Sequence, residues 1–157
     1  MSSIDPTIAQ LLTELEASRQ RVSNLLLSTS PIQDWQPAPE EWSFRFIAGH
    51  MAQVEQDAVL ARAQAIAANQ SPHYSYYYNT GWDFSGHTIR EWLDLWQSRR
   101  AQLTQLVQNL AAEQFTYTGT HDYFGKLTIQ RVLEIAIEHD GEHEAQLREL
   151  IPQAREG

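Results

Sequence analysis

The chain reads as four stretches of helical periodicity separated by segments in which the period lapses. Asp5-Pro6 offers an acceptor at a helix cap and a proline at the first helical position. Apolar residues then recur at Ile8, Leu11, Leu12, Leu15, Val22, Leu25 and Leu26 until Ser28-Thr29-Ser30-Pro31 ends the pattern. A second stretch opens at Ser43, with Trp42 and Ile47 placed as a hydrophobic staple. It continues through Met51, Val54, Ala58, Ala61 and Ala65 to Asn69-Gln70-Ser71-Pro72. Thr88 and Glu91 make a capping box for a third, whose stripe is Ile89, Trp92, Leu93, Trp96, Leu103, Val107 and Leu110. A fourth, capped by Thr128, carries Ile129, Val132, Leu133, Ala136, Leu147 and Leu150 as far as Pro152. The predicted helices cover about 5–29, 43–68, 88–111 and 128–151.

Four amphipathic helices of about 25 residues, each about 37 Å long, bury their stripes most simply against one another. The expected fold is all-α, a four-helix bundle forming one domain over residues 1–157. Its connections, residues 31–42, 70–87 and 112–127, are longer than a minimal bundle needs and rich in aromatic residues. The last is expected to hold a short extended pair turning near Gly119. Aromatic loops of this kind plug the ends of a core, wall a pocket or meet a second subunit.

Charge and composition remove several classes of function. Eleven Lys+Arg, of which Lys126 is the only lysine, face 20 Asp+Glu for a formal net charge of −9. Neither a nucleic acid nor an anionic membrane suits such a surface. The absence of cysteine excludes a thiol nucleophile and thiolate metal ligands. No run approaches about 18 uncharged apolar residues, and Met1-Ser2-Ser3-Ile4-Asp5 does not look like a signal peptide. The expectation is a cytoplasmic protein whose chemistry comes from histidine, carboxylates, hydroxyls, aromatics or a bound ion.

Three of the six histidines sit inside apolar stripes. His50 lies between Ile47 and Val54 at spacings of three and four. His139 and His143 follow Ala136 at three and seven, one turn apart on the same inward face. Imidazoles at i, i+4 are close enough to grip one ion. A third nitrogen from another helix completes a set that binds zinc-like divalent metals and leaves a position for water or substrate. The competing reading is a buried neutral cluster around water or a carboxylate, or a pH switch. His139-Asp140-Gly141-Glu142-His143 is not the zinc-protease helix, because Asp140 stands where the general-base Glu belongs. Asp57 and Gln146 are best placed to hold the outer ring nitrogens, whereas Asp140, Glu138 and Glu142 read as a solvated helix face.

In order along the chain, Trp35-x-Pro37-Ala38-Pro39-x-x-Trp42-Ser43 leading to Gly49-His50, then His121-x-x-Phe124-Gly125-Lys126-Leu127-Thr128, then His139-Asp140-x-x-His143-x-x-Gln146 resemble the DinB superfamily. The resemblance spans residues 35–146. It implies a bundle of unusual helix order, with a long crossover between the second and third helices that residues 70–87 are long enough to supply. It also implies one divalent ion, nickel or zinc, on His50, His139 and His143. Members are often homodimers, and some relatives transfer low-molecular-weight thiols.

The expected function is therefore a metal-dependent enzyme of the DinB-like type, a hydrolase or thiol S-transferase in which the ion activates water or a thiol for a small-molecule substrate. Tyr76, Tyr77, Tyr78 and His121 are candidates for the substrate wall; no residue is assigned a catalytic role. The alternative is a non-catalytic dimeric stress-related metal-binding protein, or a helical interaction module with no ion.

Overall fold

The computed structural model describes residues 4–78 and 81–156; the N-terminal expectation placed on residues 1–3 lies outside them. Helix α1 (Pro6–Leu27) starts where the Asp5 carboxylate accepts from the Thr7 amide at 2.8 Å. A single 3₁₀ turn, Ser30–Ile32, follows it. Helix α2 (Phe44–Val54) is capped by the Ser43 hydroxyl and passes through a π-helical turn (Glu55–Leu60) into α3 (Ala61–Ala67), so these three pieces form one rod. The Thr88–Glu91 capping box opens α4 (Ile89–Gln108). The Thr128 hydroxyl accepts from the Arg131 amide at the head of α5 (Ile129–Glu156). Four rods result, with the molecule a four-helix bundle.

Their directions follow from who meets whom. Ser18 meets Asp140 and Arg21 meets Glu144, so α1 and α5 are parallel neighbours. Arg99 reaches the Ala52 carbonyl and Arg100 reaches Glu55, while Leu103 and Val107 share a core cluster with Ala63 and Ile66 further along; α4 therefore runs parallel to the α2–α3 rod. Arg100 also meets the Leu15 carbonyl, and Val22 and Leu26 lie in one cluster with Ile89 and Trp92, which sets α1 antiparallel to α4. The order is up, down, down, up, and the connection from α3 to α4 must span the length of the bundle to join two parallel rods. The long crossover is a geometric necessity of that order.

Two apolar clusters fill the interior, and a buried ionic layer lies between them. Every rod contributes to it: Ser18 and the Leu15 carbonyl from α1, Glu55 from the π turn, Arg100 from α4 and Asp140 from α5. The Arg100 guanidinium donates to Glu55 at 2.6 Å, to Asp140 at 2.9 and 3.3 Å, and to the Leu15 carbonyl at 2.8 Å. Trp96 Nε1 donates to the same Glu55 oxygen at 2.9 Å, and Ser18 donates to Asp140. Arg100 and Glu55 are 2% exposed and Asp140 1%, so these charges are screened by almost no water. Burial alone would lower the Arg100 pKa, but Glu55 and Asp140 outweigh it and raise it. Asp140 is thus not part of a solvated face: the turn between His139 and His143 points it inward at the centre of the bundle.

Two further expectations change. The strands β2 (Gly119–His121) and β3 (Gly125–Leu127) are antiparallel but turn through residues 122–124, not at Gly119. Gly119 is needed because β1 (His73–Tyr74) adds in parallel beside β2, and a Cβ there would lie 2.8 Å from the Pro72 carbonyl oxygen. Helix α5 also continues past Pro152 to Glu156. Buried Ile151 and Ala154 flank the proline, so packing holds the last turn despite the hydrogen bond it cannot make.

Replacing Arg100 with methionine strands two buried carboxylates and is expected to lower the unfolding free energy by about 3–5 kcal/mol in urea titrations. A triple Glu55→Met/Arg100→Met/Asp140→Leu variant is expected to be more stable than Arg100→Met alone. A single-variant loss below about 1 kcal/mol would contradict this account of the layer.

Candidate metal centre

The ionic layer fixes the height of α5 against the α2–α3 rod, and His50 and His139 lie next to its members. His50 Nε2 is 3.0 Å from His139 Nε2, which is 3.1 Å from His143 Nε2. One ligand atom from each of the three lies within 4.8 Å of the others. Gly49 makes the close packing behind His50 possible, since a Cβ there would sit 2.4 Å from the Phe84 ring. Trp42, just before the Ser43 cap, packs its ring 4.6 Å from that of His50 and stacks on His143 at 6.2 Å. The chain entering α2 thereby covers one side of the cluster.

Burial governs the charge of His139 and His143. Burial, then the proximity of His143, His50 and Arg100, holds His139 well below the ordinary imidazole pKa. Burial lowers His143 as well, against a partial upward pull from Gln146. The neutral form at pH 7 is the form that ligates metals. The Gln146 side-chain oxygen is 2.8 Å from His143 Nδ1, so the hydrogen sits on Nδ1 and the lone pair of Nε2 faces the cluster. Nε2 of His139 has at most one hydrogen to share with two facing nitrogens. A single hydrogen cannot serve both contacts at once, whereas one cation can be shared by the three nitrogens. Ligands at about 2.05 Å stand about 3.3 Å apart around a tetrahedral ion and about 2.9 Å apart around an octahedral one; the observed 3.0 and 3.1 Å lie between. The donor set fits a divalent ion.

Asp57, the other residue singled out to hold a ring nitrogen, accepts instead from the Tyr77 hydroxyl and from Gln53 Nε2, both at 2.8 Å. It anchors the crossover beside the histidines. A cavity of about 740 Å³ opens there, lined by His50, His139, Tyr76, Tyr77 and His121 among others. A second, of about 580 Å³, lies across His50 and is lined by Trp42, Tyr77 and Tyr78. Tyr78 is 69% exposed at its rim. His121 is buried, and its Nδ1 accepts from the Tyr123 and Phe124 amides at 2.9 and 3.3 Å while its other side meets the Ser75 backbone. Burial, then Arg62, lowers its pKa. It is a neutral brace for the β2–β3 turn.

Sequence reasoning passed over Glu55, Arg100 and Arg62. Each occupies an apolar-stripe position, four residues after Met51, Trp96 and Ala58 respectively. A charge in the register of a core stripe was the available signal.

Fold and site together define an up-down-down-up helical bundle with a three-histidine cluster where its second rod meets its last helix. A model of the DinB superfamily matches residues 14–147, and the chain belongs to that superfamily. No curated protein matches it. Among solved structures, YfiT from Bacillus subtilis, described as a probable metal-dependent hydrolase with an unusual four-helix bundle topology, aligns with a TM-score of 0.79 at 19% identity, over 98% of this chain and 91% of that one. TT2238, described as a four-helix bundle protein, gives 0.66 at 26% over 89% and 96%. The DinB-like YjoA from Bacillus subtilis gives 0.60 at 16% over 92% and 91%.

In two-bond ¹H–¹⁵N NMR spectra His121 is expected to appear as the Nε2–H tautomer and to titrate below the ordinary imidazole value of about 6.5. A charged His121 at pH 6.5 would contradict the bonding described.

Proposed function

We propose that the chain is a metal-dependent hydrolase of a small molecule, with nickel or zinc on His50, His139 and His143. The observation that carries the reading is the convergence of three imidazoles beside an open cavity, with three donor residues in the cluster among those described. Structural zinc sites are closed by a fourth protein ligand, whereas catalytic ones keep a vacancy. A divalent ion in such a site lowers the pKa of a coordinated water or thiol and so supplies a nucleophile near neutral pH.

The remaining residues bind and orient. Gln146 keeps His143 in the ligating tautomer. Trp42 packs against the His50 and His143 rings, and Phe84 packs behind Gly49. Asp57 accepts from the Tyr77 hydroxyl and so fixes that side chain at the cavity wall. The name given to YfiT agrees with this reading. Because the chain has no cysteine, thiol transfer on the same site needs a thiol from solution, and the assay below separates the two.

Protein purified without a histidine tag is expected to carry about one equivalent of nickel or zinc by plasma mass spectrometry, and His143→Ala to lose most of it. Gln146→Ala is expected to weaken metal binding by about 10–100-fold without unfolding the chain. A panel of ester and amide substrates is expected to be hydrolysed by the loaded protein and not by His143→Ala. Turnover that appears only with added glutathione would assign transfer in place of hydrolysis. Metal-free protein whose melting temperature ignores added zinc and nickel would overturn the reading.

A further inference from the structure

The cavity beside the histidines is a groove between two antiparallel elements, and its other end is built around a buried cation. On the α2–α3 rod it is lined by His50, Val54, Ala58 and Arg62, spaced four apart. In a regular α-helix such a row drifts about 40° per step. The wider π turn at Glu55–Leu60 swings it back, so the four side chains stay on one line. On α5 the facing row is His139, Ile135 and Arg131. Eight residues separate its ends, about 12 Å along the helix.

Arg62 is 7% exposed, and among the described residues it has neither an ion pair nor a hydrogen bond. Its Nε is buried without a partner, and its guanidinium lies over the Tyr74 ring at 4.6 Å. Arg131, on the opposite wall, is occupied by Glu138 at 3.1 Å and Glu134 at 3.4 Å. Buried guanidinium groups are ordinarily paired, as Arg100 is, because an unpaired charge out of water is costly. The deficit at Arg62 Nε, a buried donor without a partner, is one that a ligand can relieve. A single guanidinium with its donors free matches a carboxylate in charge and in fork geometry. Between the two ends the walls are apolar and aromatic: Val54, Ala58, Ile135, Tyr76, Tyr77 and Phe124.

We propose that Arg62 is an anion-recognition residue, and that the groove takes an elongated substrate with a carboxylate at Arg62 and an apolar or aromatic body along the walls, its reactive end lying at the histidines. The placement of the reactive end rests on the hydrolase reading; the carboxylate site does not.

The probe is 4-phenylbutyrate, with 4-phenylbutanol as its uncharged counterpart, titrated calorimetrically into metal-stripped and zinc-loaded protein. The acid is expected to bind both forms and the alcohol at least tenfold more weakly. Arg62→Met is expected to lose about thirtyfold in affinity for the acid and to melt higher than the parent without ligand, since an unpaired buried charge is gone. Arg131→Ala is expected to change affinity less than threefold. Should Arg62→Met fail to fold, Arg62→Lys, which keeps the charge and loses the fork, is expected to bind about tenfold more weakly. Equal binding of acid and alcohol, affinity indifferent to Arg62, or acid bound only by the zinc-loaded protein would each overturn the proposal. His143→Ala separates the two readings: it is expected to abolish metal loading and leave the acid's affinity for metal-free protein unchanged.

Discussion

The bundle is organised by one buried guanidinium. Arg100 meets carboxylates from two other rods and a carbonyl from the third, and it does so between two apolar clusters that by themselves set no axial register. Leucines and alanines tolerate sliding by part of a turn; a guanidinium held by fixed oxygens does not. Because Asp140 is adjacent to His139 and Glu55 is little more than one turn beyond His50, the register fixed at Arg100 also fixes the distance between the imidazoles. The ionic layer holds two carboxylates against one guanidinium, with Glu55 Oε2 and Arg100 Nε lacking partners. Such a layer is a poor source of stability but a strong source of specificity.

The helix order has a functional consequence. With α4 parallel to the α2–α3 rod, the connection must run back along the bundle, and that run lays Tyr76 and Tyr77 over the groove and Phe84 behind Gly49. The β2–β3 turn closes the same groove with His121, Tyr123 and Phe124. β1, paired beside β2, ties the crossover to that turn. An antiparallel bundle with short loops could place three histidines together but would leave the cluster unwalled.

Much of this was legible in the chain itself. Asp5, Ser43, Thr88 and Thr128 mark helix starts that the structure reproduces, because caps are local chemistry. His50, His139 and His143 stood out because imidazoles in apolar register must find partners, and Gln146 because it lies one turn from His143. What escaped was non-local. Whether a charge on an apolar stripe is buried depends on what three other rods bring opposite it, so Arg100, Glu55 and Asp140 were read as ordinary surface or skipped. Asp57 was expected to hold a ring nitrogen, but it accepts from Tyr77 of the crossover, whose path no periodicity describes. The β2–β3 turn was displaced from Gly119 because that glycine answers to Pro72 across the sheet, which the local sequence does not reveal.

The account stands or falls on whether the three imidazoles share one ion. Anomalous diffraction from crystals of untagged protein, collected on either side of the nickel and zinc edges, tests this most directly. The account predicts a single peak about 2.0–2.2 Å from the Nε2 atoms of His50, His139 and His143, with a further position open toward the groove. Density there that shows no anomalous signal and lies at hydrogen-bond distances, or an ion bound elsewhere, would contradict it.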